Sequence, residues 1–435
     1  MGTPGAQSWG RYPKADQKLV ALNDRRAELP TIIGAMLPRG NGRSYGDSCL
    51  NDGGSLLMCR GLDRFIDFDP VTGVLTCEAG VLFAEILDLV VPQGWFLPVT
   101  PGTKFVTVGG AIANDVHGKN HHRVGNMGHH VLALELLRSD GLRLHCTPNE
   151  NADWFAATVG GLGLTGVITW AKLQLRRVAG PWMSTENIRF DDLDGFFALS
   201  EASERDYEYT VAWIDCAARG AALGRGIFSR ANHAPAHPDK RPNAPHKRLS
   251  VPVTPPLSLI NGLTLRAFNQ LYFHRQKPGG THATTHYDPF FYPLDSIEQW
   301  NRIYGPRGFL QYQCVVPAGD AHRVIQLLIQ EISNSGKGSF LAVLKQFGEL
   351  ESVGMLSFPR PGTTLALDFP NQGAATMALL DRLDHHVADA GGAVYPAKDA
   401  HMNGQHFRQY FERWKSFSAF IDPGLSSSFW RRVMA

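Results

Sequence analysis

Between residues 30 and 178 the chain alternates short apolar runs with glycine-bearing breaks. In FIDFDPVTGVLTCEAG, apolar and polar positions alternate on either side of Asp69-Pro70 to Gly73, which predicts a β-hairpin. LALELLRSDGLRLHC repeats the pattern about Asp140-Gly141. Between these segments, VLFAEILDLVV (Val81 to Val91) carries Glu85 and Asp88 in an otherwise apolar run and predicts an amphipathic helix. Antiparallel strands mixed with helices predict an α+β fold rather than a strict βαβα succession.

From about residue 180 aromatic residues become common. Helical periods such as AHRVIQLLIQEIS (Ala321 to Ser333) and ATMALLDRLDHHVADAGG alternate with strands such as FLQYQCVVP. The change places a domain boundary near Val178 to Pro181, giving domains 1–178 and 179–392. Ser229 to Pro256 is rich in Pro, His and Lys/Arg and predicts a mobile loop, either an exposed linker or an active-site lid.

At 435 residues the chain is long for one core and comfortable for two domains. A net charge of +2 gives no reason to expect nucleic acid. Six scattered cysteines without a CxxC pair predict reduced, buried thiols, not a disulfide framework or zinc ribbon. The opening residues lack a basic start followed by an apolar run, and no apolar stretch approaches the ~20 residues of a spanning helix. The expected location is cytoplasmic, and contact with a membrane through a substrate would leave no mark in these patterns.

Three glycine-rich segments carry the chemistry: Pro38 to Ser48, Pro101 to His122 and Thr158 to Leu175. Glycines after a strand let backbone N–H groups turn toward a phosphate, because no Cβ obstructs the approach. One such loop is usually only a turn. Three attached to strands suit a ligand bearing a pyrophosphate and two ring systems. Gly161, Gly163 and Gly166 fit GxGxxG, but the alternation from Val167 to Leu175 is that of a strand, and a Rossmann fingerprint requires a helix there. No GxxxxGK[ST] string exists, so a P-loop is excluded. His117 and His121 are four apart, yet Gly118 between them and Gly125 nearby argue against a helical metal pair, and no carboxylates cluster beside them; no metal is expected.

RGNGRSYGD, PGTKFVTVGGAIANDVHGKNHH and ATVGGLGLTGVI, in that order, resemble the FAD-binding domain of the vanillyl-alcohol-oxidase-like (PCMH-type) flavoproteins. They are most similar to its branch of decaprenylphosphoryl-β-D-ribose 2′-oxidases. SWGR near the start resembles that branch, as do WNRIYGPRGFLQYQCVVP, LAVLKQFG, LSFPRPG, LALDFP and VYPAKDA further on, so the likeness covers nearly the whole chain. It implies a PCMH-type FAD domain, completed by residues 393–435, and a substrate domain with an antiparallel sheet and flanking helices. The implied FAD contacts are Arg39, Gly40, Asn41, Gly42, Arg43, Ser44, Tyr45, Gly46 and Asp47 in the first loop. Gly102, Thr107, Val108, Gly109, Gly110, Asn114, Asp115, Val116 and His117 follow in the second, then Ile168 and Tyr395. Where many relatives attach FAD through a first-loop histidine, this chain has Tyr45, which implies non-covalent FAD.

The resemblance also makes Lys398 of PAKD the active-site lysine, against the plainer reading of a surface lysine paired with Asp399. Tyr45 and His117 are further proton-handling candidates. Lys119, Tyr292, Gln313 and Lys345 are expected substrate contacts, with Lys345 suited to a phosphate. Ala366 stands where some close relatives have cysteine, and Thr364 replaces an asparagine. The implied reaction oxidises the 2-hydroxyl of a polyprenyl-phosphoryl ribofuranose to a ketone, and an NAD(P)H-dependent reductase then completes epimerisation to arabinose. A lipid-linked substrate admits peripheral membrane contact. The alternatives are an alditol or sugar-lactone oxidase acting on free sugars, and a flavin-binding module without catalysis.

Overall fold

The computed structural model describes residues 6–236 and 249–435. Strands Phe65–Asp69, Val74–Glu78, Val167–Gln174, Val131–Leu137 and Arg143–Cys146 lie side by side in that order as an antiparallel sheet. Both expected hairpins are present. In the first, Gly73 takes a left-handed φ of +71° and its N–H donates to the Asp69 carbonyl at 2.8 Å. In the second, Gly141 has φ +87°. The helix between them, Phe83–Val90, buries Phe83, Ile86, Leu87 and Val90, the spacing of one helical face. Val167–Gln174 pairs on both edges, so the GxGxxG run leads into a strand and the Rossmann reading is excluded.

A small sheet that the apolar pattern does not announce precedes this one. Lys18–Ala21 and Met36–Arg39 flank Ser55–Met58, and all three are parallel. Each strand has four residues, too few for a period to emerge. Its function is positional, since Met36–Arg39 delivers the Pro38-Arg39-Gly40 turn to the cavity described below.

The chain leaves the first part after Arg177 and enters an eight-stranded sheet at Trp182–Phe190. The sheet also holds Gly280–His286, Gly226–His233, Tyr209–Ile214, Ala342–Phe347, Gly362–Pro370, Phe309–Val316 and Ala393–Val394. One face carries Tyr312, Cys314, Leu344, Leu365 and Leu367 into a core with helices Ala321–Ser335, Ala374–Asp389 and Leu193–Ser203. The other face is turned toward the glycine-rich loops.

The expected loop from Ser229 to Pro256 needs correction at both ends. Ser229 to His233 belongs to a strand paired on both edges, because Ala231 packs into the core and Arg230 meets Glu186 across the sheet at 2.7 Å. Leu249–Ser250 pairs in parallel with Ile297–Glu298. Residues 237–248 of that stretch lie outside the described residues.

After Ala393–Val394, which pairs with Cys314 and Val315, the chain returns to the first sheets. Leu425 bridges Met36, and the Ser428 N–H donates to the Leu50 carbonyl at 2.8 Å.

Candidate active site

Between the glycine-rich loops and the open face of the eight-stranded sheet lies a cavity of about 320 Å³. That lies within the range of small-molecule and cofactor sites. Strand register explains which sheet residues reach it. Gln313 pairs with Ala366, and Ala366 with Val343, so the three share one row. Two residues along each strand, Lys345 and Gln311 fall on the same face. All five line the cavity.

The opposite wall is made by the loops. Arg39 through Tyr45, Gly102, Thr107, Gly109, Gly110, Asn114, Val116, His117 and Ile168 all reach it. Thr107 caps the short helix Val108–Ala113 by accepting from the Gly110 N–H at 3.1 Å. A Cβ on Gly40 would stand 2.1 Å from Thr107 Oγ1, and one on Gly42, at φ +62°, would strike the Arg39 guanidinium. A side chain at either position would displace Thr107 or Arg39, so glycine is what lets the loop backbone line the cavity. At Gly102 a Cβ would meet nothing within 4 Å of protein, so the backbone there faces open space.

Tyr395 and Lys398 enter from the C-terminal segment, Lys345 from the second sheet and Lys119 from the second glycine-rich segment. The Tyr395 hydroxyl donates to the Asn114 carbonyl at 2.8 Å, tying the C-terminal segment to the second glycine loop. Lys119 Nζ donates to the Phe291 carbonyl at 3.2 Å. Lys398 Nζ lies over the Tyr45 ring, 3.9 Å from its centroid.

Five of the expected residues do not face the cavity. Val108 is core, and Gly46 packs against the Asp399 backbone. Asp47 pairs with Arg432 at 2.7 Å. Asp115 turns inward, accepting from Asn126 Nδ2 at 2.6 Å, from the Gly128 N–H at 2.8 Å and from Ser357 Oγ. It fixes the DVHGKNHH loop from behind. Tyr292 is buried, its hydroxyl sharing a 2.6 Å hydrogen bond with Thr100 Oγ1. The other histidines of this region are also structural: His121 Nδ1 accepts from the Gly348 N–H at 3.2 Å, and His122, His129 and His130 reach the carbonyls of Tyr207, Glu351 and Val124.

Burial sets the electrostatics. It pushes the Lys398 and Lys119 ammonium groups each down to about 8, with Asp368 pulling Lys398 back up. Lys345 is pushed down to about 7 by burial and by the charges of Lys119 and Lys398. The same burial, with the nearby lysines, holds His117 well below its usual value, so the imidazole is neutral. The Gln313 amide lies 2.9 Å from His117 Nε2 and 3.2 Å from Thr364 Oγ1. With that amide donating to both, the imidazole proton sits on Nδ1, which is buried without a partner. Tyr45 is raised well above its ordinary value by burial and by Asp368, and stays a phenol.

Sequence reasoning missed Gln311, Trp9 and Trp300 in the wall. For Gln311 a signal existed: Gln311 and Gln313 are polar, two apart, in an apolar strand, and so share a face.

FAD fits this site. Arg39 Nε, Arg43 Nε, Ser48 Oγ and His117 Nδ1 are buried without partners, and all four residues line the cavity beside a glycine cradle. Residues 34–147 match the family model described as an FAD binding domain. Over 97% of its length the chain is 35% identical to decaprenylphosphoryl-β-D-ribose oxidase of Mycolicibacterium smegmatis, covering 95% of that protein. It is 36% identical, over 78% of its length, to a Streptomyces coelicolor protein from the mprA 5′ region, and covers 95% of that protein. A probable mitochondrial D-2-hydroxyglutarate dehydrogenase of Oryza sativa is 30% identical over 39% of the chain and 34% of that protein. Fold and site thus define an FAD-dependent oxidoreductase with a PCMH-type cofactor domain. Within that class the chain belongs to the decaprenylphosphoryl-β-D-ribose oxidase family.

Proposed function

We propose that this enzyme oxidises the 2-hydroxyl of a polyprenyl-phosphoryl ribofuranose to a ketone, using FAD held without a covalent bond. The observation that carries the reading is the group of three half-buried lysines, Lys119, Lys345 and Lys398, facing one cavity. Burying like charges together is costly unless an anion joins them, and a phosphate diester on the substrate supplies one. A free alditol or lactone would leave that cost standing, and a module without catalysis would not need Lys398 at all.

FAD, when bound, supplies the hydride acceptor. Arg39, Arg43 and the backbone of Gly40, Gly42, Gly109 and Gly110 would hold it, and His117 Nδ1–H offers it or the sugar a donor. Lys345 and Lys119 bind the phosphate and fix the sugar relative to Gln313. Lys398, in its neutral form, accepts the proton of the 2-hydroxyl as the hydride leaves the carbon that bears that hydroxyl. The phenol of Tyr45 packs beneath Lys398 and limits its rotamers. Tyr45 stays a phenol packed against Lys398 and Phe309, and burial pushes the nearby Cys59 thiol up to about 12, leaving it un-ionised, which supports non-covalent FAD.

The product ketone would pass to an NAD(P)H-dependent keto-sugar reductase that completes conversion to arabinose. Since the substrate is lipid-linked, the protein works at a membrane surface as a peripheral protein. No helix among the described residues is long and apolar enough to cross one. Lys345→Gln tests the phosphate reading: it should raise KM for the phosphoryl substrate at least about tenfold and leave that for a phosphate-free prenyl riboside unchanged. Equal effects on both would remove the phosphate from the argument.

A further inference from the structure

Half of the strongly exposed large apolar side chains of the described residues fall within one short stretch. Eight of sixteen lie between Leu249 and Tyr272, among them Leu249 at 71%, Leu257 at 78%, Leu263 at 80% and Leu271 at 76% exposure. Solvated leucines at that density mark a docking surface, not ordinary scatter. The stretch is held firmly from beneath. Leu249–Ser250 is paired to Ile297–Glu298, Arg302 donates to the carbonyls of Val251 and Pro252 at 2.9 and 2.7 Å, and the Leu259 N–H donates to the Ile303 carbonyl at 2.9 Å. Helix Gly262–Arg275 keeps only Leu265, Asn269 and Phe273 buried, so most of its remaining surface faces out.

The same stretch is the outer side of the cavity wall. Ile260, buried beneath it, packs with Trp300 and Leu294, which line the cavity on their other side. Phe268 rests on Phe340, next to the cavity residue Leu341. Its charge is of one sign. From Leu249 to Tyr287 the sequence has Arg266, Arg275 and Lys277 and no Asp or Glu. Arg11, whose guanidinium donates to Thr254 Oγ1 at 3.1 Å, brings Lys14 and Arg302 close by, since each of those cations repels it or is repelled by it. Glu298 on the paired strand is the adjacent acid, and it has a partner of its own.

We propose that Leu249 to Tyr272 is the surface by which this enzyme docks on an anionic lipid bilayer. Exposed leucines insert at the level of the headgroups while the flanking arginines and lysines meet lipid phosphates. The cavity wall would then rest directly on the membrane, so a lipid-linked sugar could enter without its prenyl chain crossing water. The inference rests on the lipid-linked substrate for its purpose, but not for its test.

The test is sedimentation of the FAD-loaded full-length protein with vesicles of phosphatidylcholine alone or equimolar with phosphatidylglycerol. The pair Leu263→Glu and Leu271→Glu should lower partition onto the anionic vesicles roughly tenfold or more. FAD content and turnover of a short-chain, water-soluble prenyl-phosphoryl ribose should not change, because neither residue lines the cavity. Wild-type protein that ignores anionic vesicles, or a double variant that binds them equally well, overturns the proposal. So does a wild-type dimer that the two substitutions convert to monomer without altering vesicle binding, which would make the face an interface between copies. If vesicle binding behaves as expected but no lipid-linked ribose reduces the flavin, the substrate reading fails and the docking surface stands.

Discussion

The Lys398 ammonium lies 3.9 Å from the centroid of the Tyr45 ring, joining the C-terminal PAKD loop to the first glycine loop at one point in the cavity. Neither residue is near the other in sequence, and Lys398 is not the surface partner of Asp399, whose carboxylate instead meets Arg432 at 2.8 Å.

Replacing Lys398 by Ala is expected to lower kcat by about 10²–10⁴ while FAD binding, read from the flavin spectrum, is kept. Because burial lowers Lys398 to about 8 and the acting form is the neutral amine, flavin reduction should accelerate as pH is raised through about 8. A pH-independent rate, or wild-type turnover in the alanine variant, would remove Lys398 from proton transfer.

The three cavity lysines also predict a pH-dependent stability. Folded values of about 8, 7 and 8 for Lys119, Lys345 and Lys398 lie below the ordinary 10.5. Between those limits the unfolded chain binds more protons than the folded one, so ligand-free protein should gain stability as pH rises above about 7. Thermal midpoints of wild type and Lys345→Met at about pH 7 and about pH 9.5 check this, the variant showing the smaller gain. Parallel changes would contradict it.

Arg432 spans two loops: its Nε and Nη2 meet Asp47 at 2.8 and 2.7 Å, and Nη2 meets Asp399 at 2.8 Å. Arg432→Ala leaves two buried carboxylates uncompensated and should cost about 3–5 kcal/mol in urea unfolding. Burial already raises Asp47, and the loss of Arg432 would raise it further, so the deficit should shrink as pH falls and the carboxylate protonates. An unchanged midpoint at neutral pH would show that the clamp contributes nothing.

Ala366 lines the cavity with no thiol, and the cavity thiols Cys49 and Cys59 are held protonated by burial. Thiol-modifying reagents should therefore leave turnover intact, and Ala366→Cys should make it sensitive. Inactivation of the wild type would mean that Cys49 or Cys59 is more reactive than its burial implies.

Much of this was legible in the sequence, for identifiable reasons. The hairpins at Gly73 and Gly141 announced themselves through turn residues and alternation, and the helix Phe83–Val90 through its apolar stripe. The strand after Gly166 followed from periodicity alone, which excluded the Rossmann reading. The parallel strands Lys18–Ala21, Met36–Arg39 and Ser55–Met58 were too short to read, since their stability comes from tertiary pairing. Motif order located the cavity residues, but it could not say which members of a motif point inward. Asp115 and His117 sit two apart in DVHGKNHH, yet one braces the loop and the other faces the cavity. The exposed leucines beyond Leu249 left no mark in the sequence because exposure belongs to the packed structure.

The central claim is most directly tested by mixing the FAD-loaded enzyme anaerobically with candidate substrates and following the flavin absorbance. Polyprenyl-phosphoryl ribose should bleach it and yield the 2-keto sugar, while free ribose, alditols and sugar lactones should not. Acid precipitation of the same sample should release the flavin into solution. Bleaching by free alditols with no response to the lipid-linked ribose would contradict the account.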